Sequence, residues 1–132
     1  MSRKFEHAPA ALFLKCPQCK RILVAQEVGK NFHVCPRCNY HFLLSPKERL
    51  QSLVDEGSFQ EYDADLVSLD PLSFPQYQEK LASGREKTGL NDAIIYGTAT
   101  IDSLSCILII TDFSFMGGSM GWVLGEKVKR AM

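Results

Sequence analysis

The sequence predicts an α+β protein in two unlike parts, a small cysteine-rich ribbon followed by the opening of an α/β unit. Three observations carry this. Two Cys-Pro-x-Cys pairs, Cys16–Cys19 and Cys35–Cys38, stand 15 residues apart. The charge changes sign along the chain. Residues 1–49 carry nine Lys/Arg against three Glu, and residues 50–84 carry seven Asp/Glu against Lys80 alone, so the two segments have different surfaces. From Asp92 onward the chain turns β-branched and apolar, then glycine-rich, then periodic as a helix.

A chain of 132 residues fits one ordinary domain or two small ones, and 45% apolar residues exclude a disordered composition. The start, "MSRKFEHAPAALFLK", lacks the long apolar core of a signal peptide. The longest apolar run, Cys106 to Ile110, is far too short to cross a bilayer. The expectation is a soluble, cytoplasmic protein with no membrane partner. In that compartment, paired thiols serve as metal ligands more often than as disulfides.

The elements are expected in this order. Residues 1–15 form a lead-in and residues 16–42 the ribbon, with "RILVAQEV" and "NFHV" as short strands. Residues 43–91 form a helical linker. In it Ser45 caps a helix, Pro46 takes the first position and Glu48 completes a capping box. Leu50, Leu53 and Val54 give that helix an apolar stripe, and Gly57 stops it. "SFQEYD" can pair as a short strand, and "VSLDPLSFP" is a turn-rich connector. A second helix is expected from Pro75 to Ser83, ended by Gly84, with "REKTGLN" as an exposed loop. Residues 92–132 begin the α/β domain. "DAIIYGTATI" and "SCILIITDF" read as a hairpin turning at Asp102–Ser103, its second strand buried on both faces. After the loop "SFMGGSMG", the positions Met120, Val123, Lys127, Val128 and Ala131 keep a helical period to the last residue. No Gly, Asn or Pro ends that helix, so the second unit reads as incomplete.

The cysteine pattern carries the clearest chemistry. Two residues between thiols let a tight turn aim both sulfurs at one point. Two such turns complete a tetrahedron of Zn–S bonds at ~2.3 Å. So small a module buries little apolar surface, and the metal supplies its stability. Four thiolates close the coordination shell, which disfavours a catalytic zinc. His33 and His41 flank the second pair and could replace a ligand or touch nucleic acid; packing histidines are the plainer reading. Cys106 lies in an apolar strand and reads as an inert core residue. The basic first third leaves room for weak nucleic-acid binding, although no arginine-rich run supports it.

Gly117, Gly118 and Gly121 lie between a strand and a helix, where glycine permits positive φ and close backbone approach. The spacing is neither the dinucleotide fingerprint nor a P-loop. Taken alone, the loop is a tight turn or a ligand site with equal ease. Asp112 serves a turn more often than a general base, and Ser119 reads as a helix N-cap rather than a nucleophile.

Taken together, "CPQC…CPRC", "SPKERLQSLVDEGSFQE", "REKTGLNDAI" and "DFSFMGGSMGWVLGEKVKRAM" resemble the N-terminal part of the β subunit of bacterial and plastid acetyl-CoA carboxylase carboxyltransferase. The resemblance implies a ribbon appended to a domain of the crotonase (ClpP-like) superfold. Cys16, Cys19, Cys35 and Cys38 match that family's zinc ligands. Gly117, Gly118, Ser119 and Gly121 match a glycine-rich loop that shapes its acyl-CoA site. It further implies an α subunit, a biotin carboxyl carrier protein and biotin carboxylase as partners. The implied reaction transfers a carboxyl group from carboxybiotin to acetyl-CoA, giving malonyl-CoA for fatty acid biosynthesis. The implied oxyanion-hole donors come from a later stretch and from the α subunit, so no catalytic residue is assigned in this chain, which by itself is expected to be inactive. Lys20, Asn39 and Ser103 stand where the family often has Gly.

Overall fold

A computed structural model of the chain describes residues 12–132. The expectation for residues 1–11 lies outside the described residues. The rest divides into two compact units, with the boundary between Leu44 and Ser45.

The first unit is built on two short antiparallel strands, β1 (Phe13–Lys15) and β2 (Ile22–Val24), with Leu14 opposite Leu23. Residues 13–15, expected in the lead-in, therefore belong to the ribbon. Helix α1 (Ala25–Lys30) follows directly. The sequence suggested that the strand would run on through Val28. Instead Ala25 and Val28, three residues apart, both turn inward and are buried, which is helical rather than alternating spacing. The "NFHV" strand reduces to one isolated bridge between Val34 and His41. Cys16, Leu23, Val28 and Cys35 form the core, flanked by Leu14, Tyr40 and Phe42.

The second unit opens with α2 (Pro46–Leu53). Ser45 Oγ accepts from the Glu48 N–H, and the Glu48 carboxylate accepts from the Ser45 N–H at 2.8 Å, so the capping box is present. The helix stops at Leu53, before Gly57. Of the expected stripe, Val54 is buried and Leu53 is exposed. Strand β3 (Gln60–Glu61) pairs antiparallel with β4 (Ile94–Ile101), and β4 pairs with β5 (Leu104–Thr111) in unbroken register from Ile94↔Thr111 to Ile101↔Leu104. The sheet order β3-β4-β5 makes β4 central. Ile94, Ile95, Tyr96 and Ala99 of β4 are buried, whereas Leu104, Ile107 and Ile109 of β5 are exposed. This reverses the expectation of a second strand buried on both faces. Cys106, expected in the core, is only partly buried on that strand.

Helix α3 runs from Tyr77 to Thr88, two residues later at its start and five later at its end than expected. Gly84 does not stop it. Gly84 is buried under the Phe115 ring, and the helix ends at Gly89, whose φ of 73° forms the left-handed cap. The first four residues of "REKTGLN" are therefore helical. Leu81 of α3 packs on Ala93 and Phe115. The last helix, α4 (Trp122–Ala131), buries Val123, Lys127 and Ala131, four residues apart, and packs on β4 and β5. No helix among the described residues is long and apolar enough to cross a membrane.

Candidate metal centre and glycine loop

Two turns of matching geometry present the four thiols. In the first, Cys16 N–H donates to Arg21 O at 2.9 Å and Lys20 N–H to Cys16 O at 3.0 Å. In the second, Cys35 N–H donates to Tyr40 O at 2.8 Å and Asn39 N–H to Cys35 O at 3.0 Å. Each turn needs a left-handed residue just after its second cysteine. Lys20 and Asn39 supply it, with φ of 61° and 58°. Asparagine takes this conformation with little strain and lysine with more.

The four Sγ atoms all lie within 4.8 Å of one another. The Cys16–Cys38 and Cys19–Cys35 separations are 3.7 and 3.9 Å. A tetrahedron with Zn–S bonds of ~2.3 Å has edges of about 3.8 Å, so the cluster is suitable for one zinc ion. Cys16 and Cys35 are buried, and Cys19 and Cys38 are partly exposed. Their ionisation is shared. Burial raises the Cys16 pKa, but N–H groups of Cys19 and Gln18 and the thiols of Cys19 and Cys38 outweigh it and bring it to about 7. Cys38 is pushed up to about 12, by burial first and then by the neighbouring sulfurs, against a hydrogen bond from the Tyr40 backbone. One thiolate forms readily, and full deprotonation awaits a cation that offsets the crowded negative charge. Among the described residues, neither His33 nor His41 joins the cluster.

The glycine loop lies in the second unit. Gly117 and Gly118 have φ of 69° and 74°, and Gly118 N–H donates to Phe115 O at 2.9 Å. A Cβ on Gly118 would stand 3.2 Å from the Phe113 ring, whereas one on Gly117 would meet nothing. Ser119 is exposed and does not cap α4. Gly121 is the N-cap, in extended conformation, facing Ser68 Oγ and the Tyr77 hydroxyl. Asp112 is buried in a turn role. Its carboxylate accepts from Ser114 N–H at 2.7 Å, and its own N–H donates to Ala93 O at 2.7 Å.

Several polar groups of the second unit take their partners from the fold. Ser68 Oγ donates to the buried Asp92 carboxylate at 3.0 Å. Lys127 is 1% exposed, and its ammonium donates to Ile94 O at 3.1 Å. Burial lowers its pKa, with Glu61, Asp92, Asp63 and Asp65 acting the other way. Tyr96 OH donates to the Asp63 carboxylate, which also accepts from Arg130 at 2.7 Å. Lys127 had one signal in the sequence, its place four residues from both Val123 and Ala131. Ser68 and Asp63 had none.

The class of module is thus a four-thiol ribbon carrying two matched turns. Residues 13–38 match the family described as the acetyl-CoA carboxylase zinc finger domain. The chain therefore contains an acetyl-CoA carboxylase-type zinc finger, and the match spans β1 through the second cysteine pair.

Proposed function

We propose that the chain forms the N-terminal part of the β subunit of an acetyl-CoA carboxylase carboxyltransferase. Cys16, Cys19, Cys35 and Cys38 hold one structural zinc, and Gly117, Gly118, Ser119 and Gly121 shape part of an acyl-CoA site in a crotonase-type domain. The observation that carries this reading is the coincidence of the zinc-finger match at residues 13–38 with four sulfurs at tetrahedral spacing. The succession of β5, two left-handed glycines and α4 supports it.

The division of labour follows from the chemistry. Four thiolates leave the metal no open position, so its part is to hold the ribbon. Carboxyl transfer to acetyl-CoA needs a stabilised enolate at the thioester, which backbone N–H donors provide without a reactive side chain. No side chain of the N-cap occupies the leading N–H groups of α4. The carboxyl group arrives on a biotin carrier protein charged by biotin carboxylase, and an α subunit completes the site in the cytoplasm.

The test mixes the purified chain with an α subunit and measures zinc content, co-elution and malonyl-CoA formation from acetyl-CoA and carboxybiotin. One zinc per chain and a stable complex are expected, with product formation only where the later stretch of oxyanion-hole donors is also supplied. A zinc-loaded chain that ignores the α subunit, yet binds polynucleotide in a salt-sensitive way lost on chelation, would instead make it a nucleic-acid-binding ribbon.

A further inference from the structure

The four sulfurs are not equivalent. The first cysteine of each pair, Cys16 or Cys35, is fully buried, and the second, Cys19 or Cys38, is partly exposed. Each partly exposed sulfur stands against the buried sulfur of the other turn, Cys38 at 3.7 Å from Cys16 and Cys19 at 3.9 Å from Cys35. A solvent-reached thiolate is oxidised first, and it needs a second sulfur close by to be resolved. Both requirements are met twice here, in the same sense.

We propose that the site is also an oxidant-responsive switch, in which a peroxide replaces the metal with two disulfides that cross between the turns, Cys16–Cys38 and Cys19–Cys35. The proposal rests on the zinc reading above. In the first step, the solvent-reached Cys38 sulfur, deprotonated as a zinc ligand, attacks the peroxide O–O bond. An S–O bond forms, the O–O bond breaks, and the departing hydroxide takes a proton to leave as water. The Cys38 sulfenic acid is then attacked by Cys16. The S–S bond forms, the S–O bond breaks, and the hydroxide leaves as water with a proton taken from solvent. The two sulfurs are oxidised by two electrons and the peroxide is reduced by two. Cys19 and Cys35 repeat the sequence with a second peroxide. Disulfide sulfurs are poor zinc ligands, so the ion is released. Crossed disulfides tie the two turns together where the metal did, whereas disulfides within each pair leave them untied.

The experiment uses the whole chain as purified. Zinc is assayed first, hydrogen peroxide is added, and release is followed with a metallochromic indicator. The reaction is quenched in acid, free thiols are alkylated and the protein is digested with trypsin without reduction. Cys16 and Cys19 share the peptide ending at Lys20, while cleavage after Arg37 separates Cys35 from Cys38. Zinc release with three peptides joined, and fragmentation that assigns Cys16 to Cys38 and Cys19 to Cys35, is the expected result. A bond from Cys35 to Cys38 with the Cys16–Lys20 peptide closed on itself overturns the proposal. So does a Cys16–Cys35 bond, or zinc retained through the treatment. A chain without zinc at the outset overturns the zinc reading itself and the proposal with it, and the initial assay separates that failure from the others.

Discussion

The Phe115 ring lies over Gly84 so closely that a Cβ there would stand 3.1 Å from it. Phe115 is itself 1% exposed and packed among Leu81, Ala93 and Tyr77, so it has little room to yield. Alanine at a mid-helix glycine ordinarily gains up to ~1 kcal/mol. Here the contact reverses the sign. Gly84→Ala is expected to lower the melting temperature slightly, and Gly84→Val to lower it severely through a destabilisation of about 2 kcal/mol or more. A thermal melt in which Gly84→Ala is stabilised would contradict the packing.

Asp55 holds the β4–β5 turn. Its carboxylate accepts from the N–H groups of Asp102 and Ser103 at 3.1 and 2.8 Å and from the Thr100 hydroxyl at 2.5 Å. Asp102 and Ser103 both have positive φ, 48° and 68°, as a two-residue hairpin turn of this hand requires. Asp55→Ala is expected to destabilise the unit by roughly 2 kcal/mol through the lost charged hydrogen bonds. Ser103→Gly, which relieves the strained position, is expected to stabilise it by about 0.5–1 kcal/mol. Urea denaturation of the two variants checks both signs.

Metal removal is expected to unfold the ribbon. Cys16→Ser and Cys38→Ser each break the tetrahedron, and backbone amides of the turns, such as Cys16 and Cys35, should lose hydrogen-exchange protection on chelation. Metal analysis should return one zinc per chain. A metal-free chain with unchanged amide protection would remove zinc from the stability of this module.

Lys127 carries a pH signature. Its folded pKa lies below the usual lysine value because of burial. Between the lowered value and ~10.4 the unfolded chain binds more protons, so this group makes stability rise with pH across that window. Tyr96 acts oppositely. Its pKa is raised, first by its hydrogen bond to Asp63 and then by burial, so its contribution is full below about 10 and lost as pH climbs through the raised value. The two separate when each variant is compared with the parent. The advantage of Lys127→Met over the parent should shrink as pH rises, while the deficit of Tyr96→Phe should shrink only at still higher pH. Melts from neutral to alkaline pH decide this.

Gly118→Val, made in an assembled carboxyltransferase, is expected to raise KM for acetyl-CoA and lower kcat while leaving association with the α subunit intact. It combines a φ of 74° with a ring contact at 3.2 Å. Gly117→Ala has the strained φ without the contact, so it should be milder. Unchanged kinetics in both variants would take the loop out of the site.

What the sequence disclosed follows the range of the forces involved. The capping box of α2 is made within four residues, and it was legible. So were the cysteine turns, because their spacing is set by local backbone geometry. The end of α3 was misread because Phe115, 31 positions away, decides what Gly84 does. β5 looked buried from composition, but burial depends on strand order, and β3 pairs with β4 instead. Asp55, Asp63 and Ser68 gave no warning, since their partners lie between 24 and 67 positions away.

The matched hydrogen-bond patterns of the two turns make the ribbon resemble a dimer of half-sites on one tether. Each half offers two sulfurs, and the second half is delivered at an effective concentration set by the 15-residue connector. Because closure entropy grows only with the logarithm of length, doubling that tether weakens metal capture by ~0.6 kcal/mol. Residues inserted at the exposed end of α1, beside Lys30 and Asn31, should leave affinity almost untouched, while a residue inserted inside either Cys-Pro-x-Cys disrupts the turn hydrogen bonds of that pair and should weaken it far more.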